Sequence, residues 1–224
     1  MWGEINRALP PVSRGCARKE AVFSPRMSQS NDLYYVVLRG AGRQPLFNTD
    51  DDRDHFTKVI AEQAAACGVT VFAYCWLASE ARLAARISGV SINKFAQAVG
   101  KRHAQRLERD VAITGSHFEQ KCRGVKVDGQ TALVDLVRHI HLAPLKAGLA
   151  ADAADYPWSS HRVYLGLVQA PWLATEPLLK HFRETEGDAV RGYMKFMGQG
   201  AENVEAIASL VEPAGVTAPP RGRA

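Results

Sequence analysis

Two histidines one residue apart, His139-Ile140-His141, are the first feature of this 224-residue chain that could do chemistry. On a strand, alternation would aim both imidazoles at one ion. The surrounding pattern is helical, however, and on a helix positions i and i+2 diverge by roughly 200°. The pair is therefore expected to hold no metal. Cys16, Cys67, Cys75 and Cys122 are scattered, with no CxxC or Cys/His spacing of a zinc site, which predicts reduced thiols. Cys75 reads as space-filling sulfur and His103, in an apolar stripe, as a core or boundary histidine.

Charge is the other source of chemistry. The whole chain carries 28 Lys and Arg against 23 Asp and Glu, a mild net +5. Residues 82–126 alone hold ten Lys or Arg against three acids. Arg82, Arg86, Lys101, Arg102, Arg106, Lys121 and Arg123 are the candidate phosphate contacts of that stretch. Such a stripe is the footprint of a phosphate-backbone binder, with a solvated helix face as the plain alternative.

The elements that must position these groups are legible from periodicity. Leu33–Arg39 is a strand by its aromatic and β-branched content, and Gly40 closes it. Thr49 or Asp50 can cap a helix over roughly 51–67, with Gly68 at its end. Val69–Leu77 and Arg82–Ile87 form a hairpin. Ser91 caps a second helix whose apolar face carries Ile92, Phe95, Val99, His103 and Leu107. His117–Val127 is strand-like, and a third helix spans 130–143, stopped by Pro144. The result is an α+β layer: an antiparallel sheet with helices packed mainly on one face, in a ferredoxin-like arrangement. Among the strand aromatics, Phe72 and one of Tyr34 and Tyr35 are expected inward, and the others could stack on bases.

Hydrophobic residues make up 46% of the chain, enough for a core, so wholesale disorder is excluded. Residues 1–32 read as a flexible arm, 33–166 as the main domain, 167–200 as a helical extension and 201–224 as a largely disordered tail. No stretch is long and apolar enough to span a bilayer, and the first residues lack a signal-peptide core. A cytoplasmic protein without membrane contact is expected.

Four blocks, in order, resemble the REP-associated tyrosine transposases, a branch of the HUH single-strand endonucleases. They are Tyr35–Gly40 followed by Arg43–Phe47, then Ala73–Leu77, then Arg138–Leu149, then Pro157–Gly166. The resemblance covers roughly 33–166. It implies an HUH transposase-like fold and a protein that acts on hairpin-forming single-stranded DNA as a monomer. It also implies a divalent cation held by two strand histidines and a tyrosine nucleophile on a neighbouring helix. Arg39 and Arg43 match positions near bound DNA, with plain exposed turn arginines as the alternative, above all for Arg43.

The chain departs from that pattern at each catalytic position. The two ligand positions are Glu80 and Arg82, and the nucleophile position is His139. Glu80 retains a carboxylate able to ligate Mg²⁺, whereas Arg82 has no acceptor and would repel an ion. The expectation is a catalytically degenerate relative without a cofactor. It would be a regulator binding structured single-stranded DNA or RNA hairpins; Arg82 either contacts phosphate where a cation once sat, or the site has drifted, with Glu80 pairing with a nearby base. Two alternatives stay open. One is residual strand cleavage with His139 as nucleophile and a metal on Glu80; the other is a protein–protein scaffold built on the 167–198 helices.

Overall fold

The computed structural model describes residues 32–41, 44–110, 123–128 and 132–199, without the side chains of 107–110 and Arg123. The expected arm before residue 32, the tail from 201, Arg43, Lys121 and most of the expected strand 117–127 lie outside the described residues.

Within them the expected order holds: β1 (Asp32–Arg39), α1 (Asp50–Cys67), β2 (Val69–Trp76), β3 (Glu80–Ile87), α2 (Ile92–Asp110) and β4 (Arg123–Lys126). The strands lie in the order β2-β3-β1-β4 with every neighbouring pair antiparallel, which is the ferredoxin-like sheet. Register fixes which residues share a face. Arg39 lies opposite Glu80, Val37 opposite Arg82 and Tyr35 opposite Ala84. Cys75 lies opposite Arg82 from the other side. Tyr35, Arg39, Cys75, Glu80 and Arg82 therefore share one face, and Val36, Leu38, Trp76 and Ala81 the other.

The long helices α1 and α2 cover the Trp76 face. Thr49, not Asp50, starts α1: its hydroxyl accepts from Asp52 N at 3.2 Å, and the Asp52 carboxylate accepts from Thr49 N at 2.9 Å. This reciprocal pair satisfies two backbone donors that the first turn leaves open. Gly68, at φ 65°, ends the helix in the left-handed region. Phe56 meets Trp76 edge-on at 5.0 Å, and Trp76 Nε1 donates to Thr57 Oγ1 at 2.9 Å. Truncating Phe56 would cost about 3–5 kcal/mol. Ser91 accepts from Lys94 N at the start of α2. Gly124 then lets α2 sit on the sheet, because a Cβ there would lie 2.0 Å from Ile92 Cδ1.

The shorter α3 (Ala132–His141) takes the opposite face, where His139 meets the ring of Tyr35 edge-on at 5.2 Å. The expected helix over 130–143 needs correction. It ends at His141, and Pro144 lies in the first turn of a separate α4 (Ala143–Lys146). A first-turn proline gives up an N–H that has no helical partner anyway, so it begins this turn instead of stopping the previous one.

Three further helices follow: α5 (His161–Tyr164), α6 (Glu176–Glu186) and α7 (Ala189–Gly198). The connecting chain covers the outer edge of β2. Trp76 N donates to Trp158 O, Ser160 N to Tyr74 O and Ala174 N to Val71 O, at 2.9–3.0 Å. An edge that would otherwise template strand addition is thereby closed. Arg138 ties α7 to α3: its guanidinium lies 4.1 Å from the Phe196 ring centroid and donates to Gln199 O at 3.0 Å. No described helix is long and apolar enough to cross a membrane.

Candidate nucleic-acid interface

The β2–β3 hairpin turns at Ala78-Ser79 and is closed by Leu77 N donating to Glu80 O at 2.8 Å. Gly40 N donates to Ser79 O and Leu46 N to Ala78 O, so the tip is held against the end of β1. A free hairpin end would leave Glu80 mobile. Here it is fixed beside Arg39, the last residue of β1.

Glu80 is consequently clamped between two guanidinium groups. Arg39 Nε donates to Oε2 at 3.0 Å and Arg82 Nε to Oε1 at 2.6 Å. Burial alone would raise the Glu80 pKa, but the adjacent Arg82 charge and the hydrogen bonds from both arginines outweigh it and hold it below the ordinary carboxylate range. Burial likewise opposes the charge on Arg82, and the Tyr35 and Glu80 side chains beside it raise its pKa on balance. The cluster is two cations around one anion, net positive, with 13–22% of each side chain open to solvent.

The remaining altered catalytic position, His139, lies on the same sheet face, against Tyr35. His139 is buried, and its Nε2 lies 3.1 Å from the Tyr35 hydroxyl. Cys75 is buried on the same face, and burial pushes its thiol up to about 12, which leaves it un-ionised and a poor nucleophile at neutral pH. Both Glu80 oxygens already accept from arginine, and the described residues contain no group of three His, Cys, Asp or Glu that could hold a metal. A cation on Glu80 would have to displace two guanidinium groups.

The nine candidate contacts do not form one surface. Arg39 and Arg82 belong to the cluster, and Arg86 follows on the same strand face with its guanidinium 5.0 Å from the Phe72 ring centroid. Arg123 falls in the cross-strand row Cys75–Arg82–Val37–Arg123. The helical group lies across the sheet. Arg102 pairs with Glu62 of α1 at 2.8 Å, Arg106 with Asp52 at 3.8 Å, and Lys101 is exposed. Arg43 and Lys121 lie outside the described residues.

His139 and His141 diverge as the helical reading required. His141 points into a polar knot behind α3: Nδ1 lies 2.8 Å from the Tyr193 hydroxyl and Nε2 lies 2.6 Å from Ser160 Oγ. His161 Nδ1 also contacts the Tyr193 hydroxyl, and Tyr74 N donates to Ser160 Oγ at 2.9 Å. Burial lowers the pKa of His141 strongly and pushes His161 down to about 4. His103, in the α1–α2 core, has Nε2 3.0 Å from Leu46 O, as expected of a core histidine.

Sequence reasoning missed the pairing of Tyr35 with His139 and the joining of His141 to His161 through Tyr193. Strand alternation carried part of the first signal, since Tyr35 is in phase with Val37 and Arg39. The second spans 52 residues and has no local trace.

No family model and no curated protein sequence matches the chain. Among solved structures it is similar to a REP-associated tyrosine transposase bound to a REP hairpin, with a TM-score of 0.52 and 13% identity over 64% of this chain and 86% of that one. The chain shares the fold of that transposase. At this identity the likeness speaks for architecture alone, and residue roles must come from the geometry above.

Proposed function

We propose that this protein binds structured single-stranded nucleic acid, DNA or RNA hairpins, through the sheet face carrying Arg39 and Arg82, and that it does so as a regulator without cutting. The carrying observation is the Arg39–Glu80–Arg82 cluster. At the place where the resemblance expects a metal bound to histidines, the chain presents a net positive, partly open set of guanidinium donors. Guanidinium forks match phosphate oxygens geometrically and need no cation. The solved transposase of the same fold, bound to its hairpin, supports nucleic acid as the ligand class. His139 supports the loss of cleavage: its ring is buried and its Nε2 faces Tyr35.

The test is titration of labelled DNA and RNA hairpins against a scrambled single strand and a blunt duplex, at several salt concentrations. Hairpins should bind best, with affinity falling steeply as salt rises. Arg39→Ala/Arg82→Ala should weaken binding about tenfold or more and flatten the salt dependence. Absence of binding to any probe at low salt would overturn the reading. Hairpin nicking in Mg²⁺ or Mn²⁺ that disappears in His139→Ala would overturn the loss of cleavage. On this reading the protein is a monomer, which light scattering would check.

A further inference from the structure

The carboxylate of Glu80 occupies the position between Arg39 and Arg82 that a phosphate would take. Its two oxygens receive one charge-assisted hydrogen bond from each arginine, at 3.0 and 2.6 Å. A phosphodiester carries the same charge and the same pair of acceptor oxygens. Each guanidinium has five N–H donors. Among the described residues Arg39 uses only Nε, and Arg82 only the Nε and NH2 edge, each on Glu80 alone. The arginines are oriented and partly desolvated before any ligand arrives, and each keeps part of its side chain open to solvent.

The geometry points to Glu80 as a built-in competitor of the phosphate site: an internal anion that fills the Arg39–Arg82 fork until a backbone phosphate displaces it. This deepens the reading above and rests on it for the identity of the natural ligand, a nucleic-acid phosphodiester. The displacement sets a threshold. An isolated phosphate must replace a carboxylate tethered at high effective concentration, so it binds weakly. A hairpin that contacts the protein at several places supplies the free energy to expel Glu80. The fork thus favours a ligand held elsewhere at the same time over free phosphate or mononucleotides. Glu80 is a specificity-determining residue, and Arg39 and Arg82 are the contacts.

Glu80→Gln keeps the shape and removes the charge. It should raise hairpin affinity about tenfold and leave the slope of log affinity against log salt nearly unchanged, because the same phosphates are neutralised in both forms. Inorganic phosphate at tens of millimolar should raise the melting temperature of Glu80→Gln by several degrees over an equal ionic strength of chloride. It should leave the wild type nearly unmoved. Glu80→Asp retains the charge but withdraws it by one methylene, and should fall between the two in both measurements.

Unchanged or weaker hairpin binding by a folded Glu80→Gln, with no phosphate-specific stabilisation, would overturn the competitor role and leave hairpin binding by the wild type standing. If no form binds nucleic acid, the functional reading fails. The phosphate melts then decide the fork separately: stabilisation of Glu80→Gln alone supports a displaced-anion site, and equal response of all forms overturns it. If Glu80→Gln folds poorly, rescue by phosphate but not chloride supports the inference, and the Glu80→Asp series decides it.

Discussion

Two polar clusters flank α3, and they are built on opposite principles. The Arg39–Glu80–Arg82 fork is charged, partly open and closed only upon itself. The His141–Tyr193–His161–Ser160 knot is neutral and buried, with the Tyr193 hydroxyl shared by both histidines and Ser160 tying His141 to the backbone of Tyr74. In the knot, the Ser160 hydroxyl donates to Tyr74 O, so the protons run one way: from His161 Nδ1 to the Tyr193 oxygen, from the Tyr193 hydroxyl to His141 Nδ1, and from His141 Nε2 to Ser160 Oγ. That order satisfies every member of the chain. A buried network satisfied in this way fixes geometry and resists water. A partly buried ion cluster sets desolvation against attraction and hydrogen bonds, and the solvent-open part keeps donors available to a ligand. The knot therefore secures the C-terminal helices to the sheet, and the fork is where a ligand can act.

Acid should separate the two most sharply. The knot histidines have folded pKa values below the unfolded value near 6.5, with His161 at about 4 because of burial. The unfolded chain therefore binds more protons in this window. Stability is full above about pH 6.5 and is lost as pH falls toward 4. The His161 shift alone corresponds to about 3 kcal/mol. Urea unfolding at pH 7.5, 6, 5 and 4.5 should show that decline. A profile flat to pH 5 would mean that the histidines are not held neutral by the fold. Glu80 contributes in the same direction but lower, since its folded pKa is below its ordinary value and its contribution fades only as it protonates.

A smaller effect comes from removing the hydroxyl at the centre of the knot. Tyr193→Phe leaves Nδ1 of both His141 and His161 without the partner they share, and should cost about 2 kcal/mol in unfolding free energy. Hairpin affinity of the folded fraction should stay within about twofold of the wild type, because the fork is untouched. A stability cost below about 0.5 kcal/mol would show that the knot is less constrained than its geometry implies. A large affinity loss with the fold intact would couple the two clusters, contrary to the division drawn above.

The sequence carried the frame well and the spatial joins poorly. Every described strand and long helix was legible, because each has a local cause: alternation in Leu33–Arg39, the Thr49 cap, the Gly68 stop and the apolar stripe of α2. Arg82 and His139 were identifiable as altered positions through resemblance. What lay out of reach was partnership across the chain. Arg39 and Glu80 are 41 residues apart and meet only because β1 and β3 are in one particular register. Pro144 misled for a related reason: a proline breaks a helix interior but suits a first turn, and only the fold decides which it occupies. The basic excess of 82–126 was a sum along the chain, blind to the opposing charges that α1 brings beside α2.

That last point yields the smallest and most discriminating expectation. Sheet alternation and packing put α2 on the Trp76 face, across the sheet from the fork. There Asp52 in the first turn of α1 and Glu62 further along it pair with Arg106 and Arg102 of α2. Arg102 and Glu62 are both more than half exposed, so their pair is worth well under 1 kcal/mol. Lys101→Ala/Arg102→Ala should change unfolding free energy by less than about 0.5 kcal/mol. It should also weaken hairpin binding less than threefold at 150 mM salt, by long-range attraction alone, with little change in salt slope. Arg39→Ala/Arg82→Ala removes the same number of positive charges and should weaken binding about tenfold or more. Equal losses from the two pairs would mean that net charge, not the fork, governs affinity. A larger loss from the α2 pair would move the interface to the helical face.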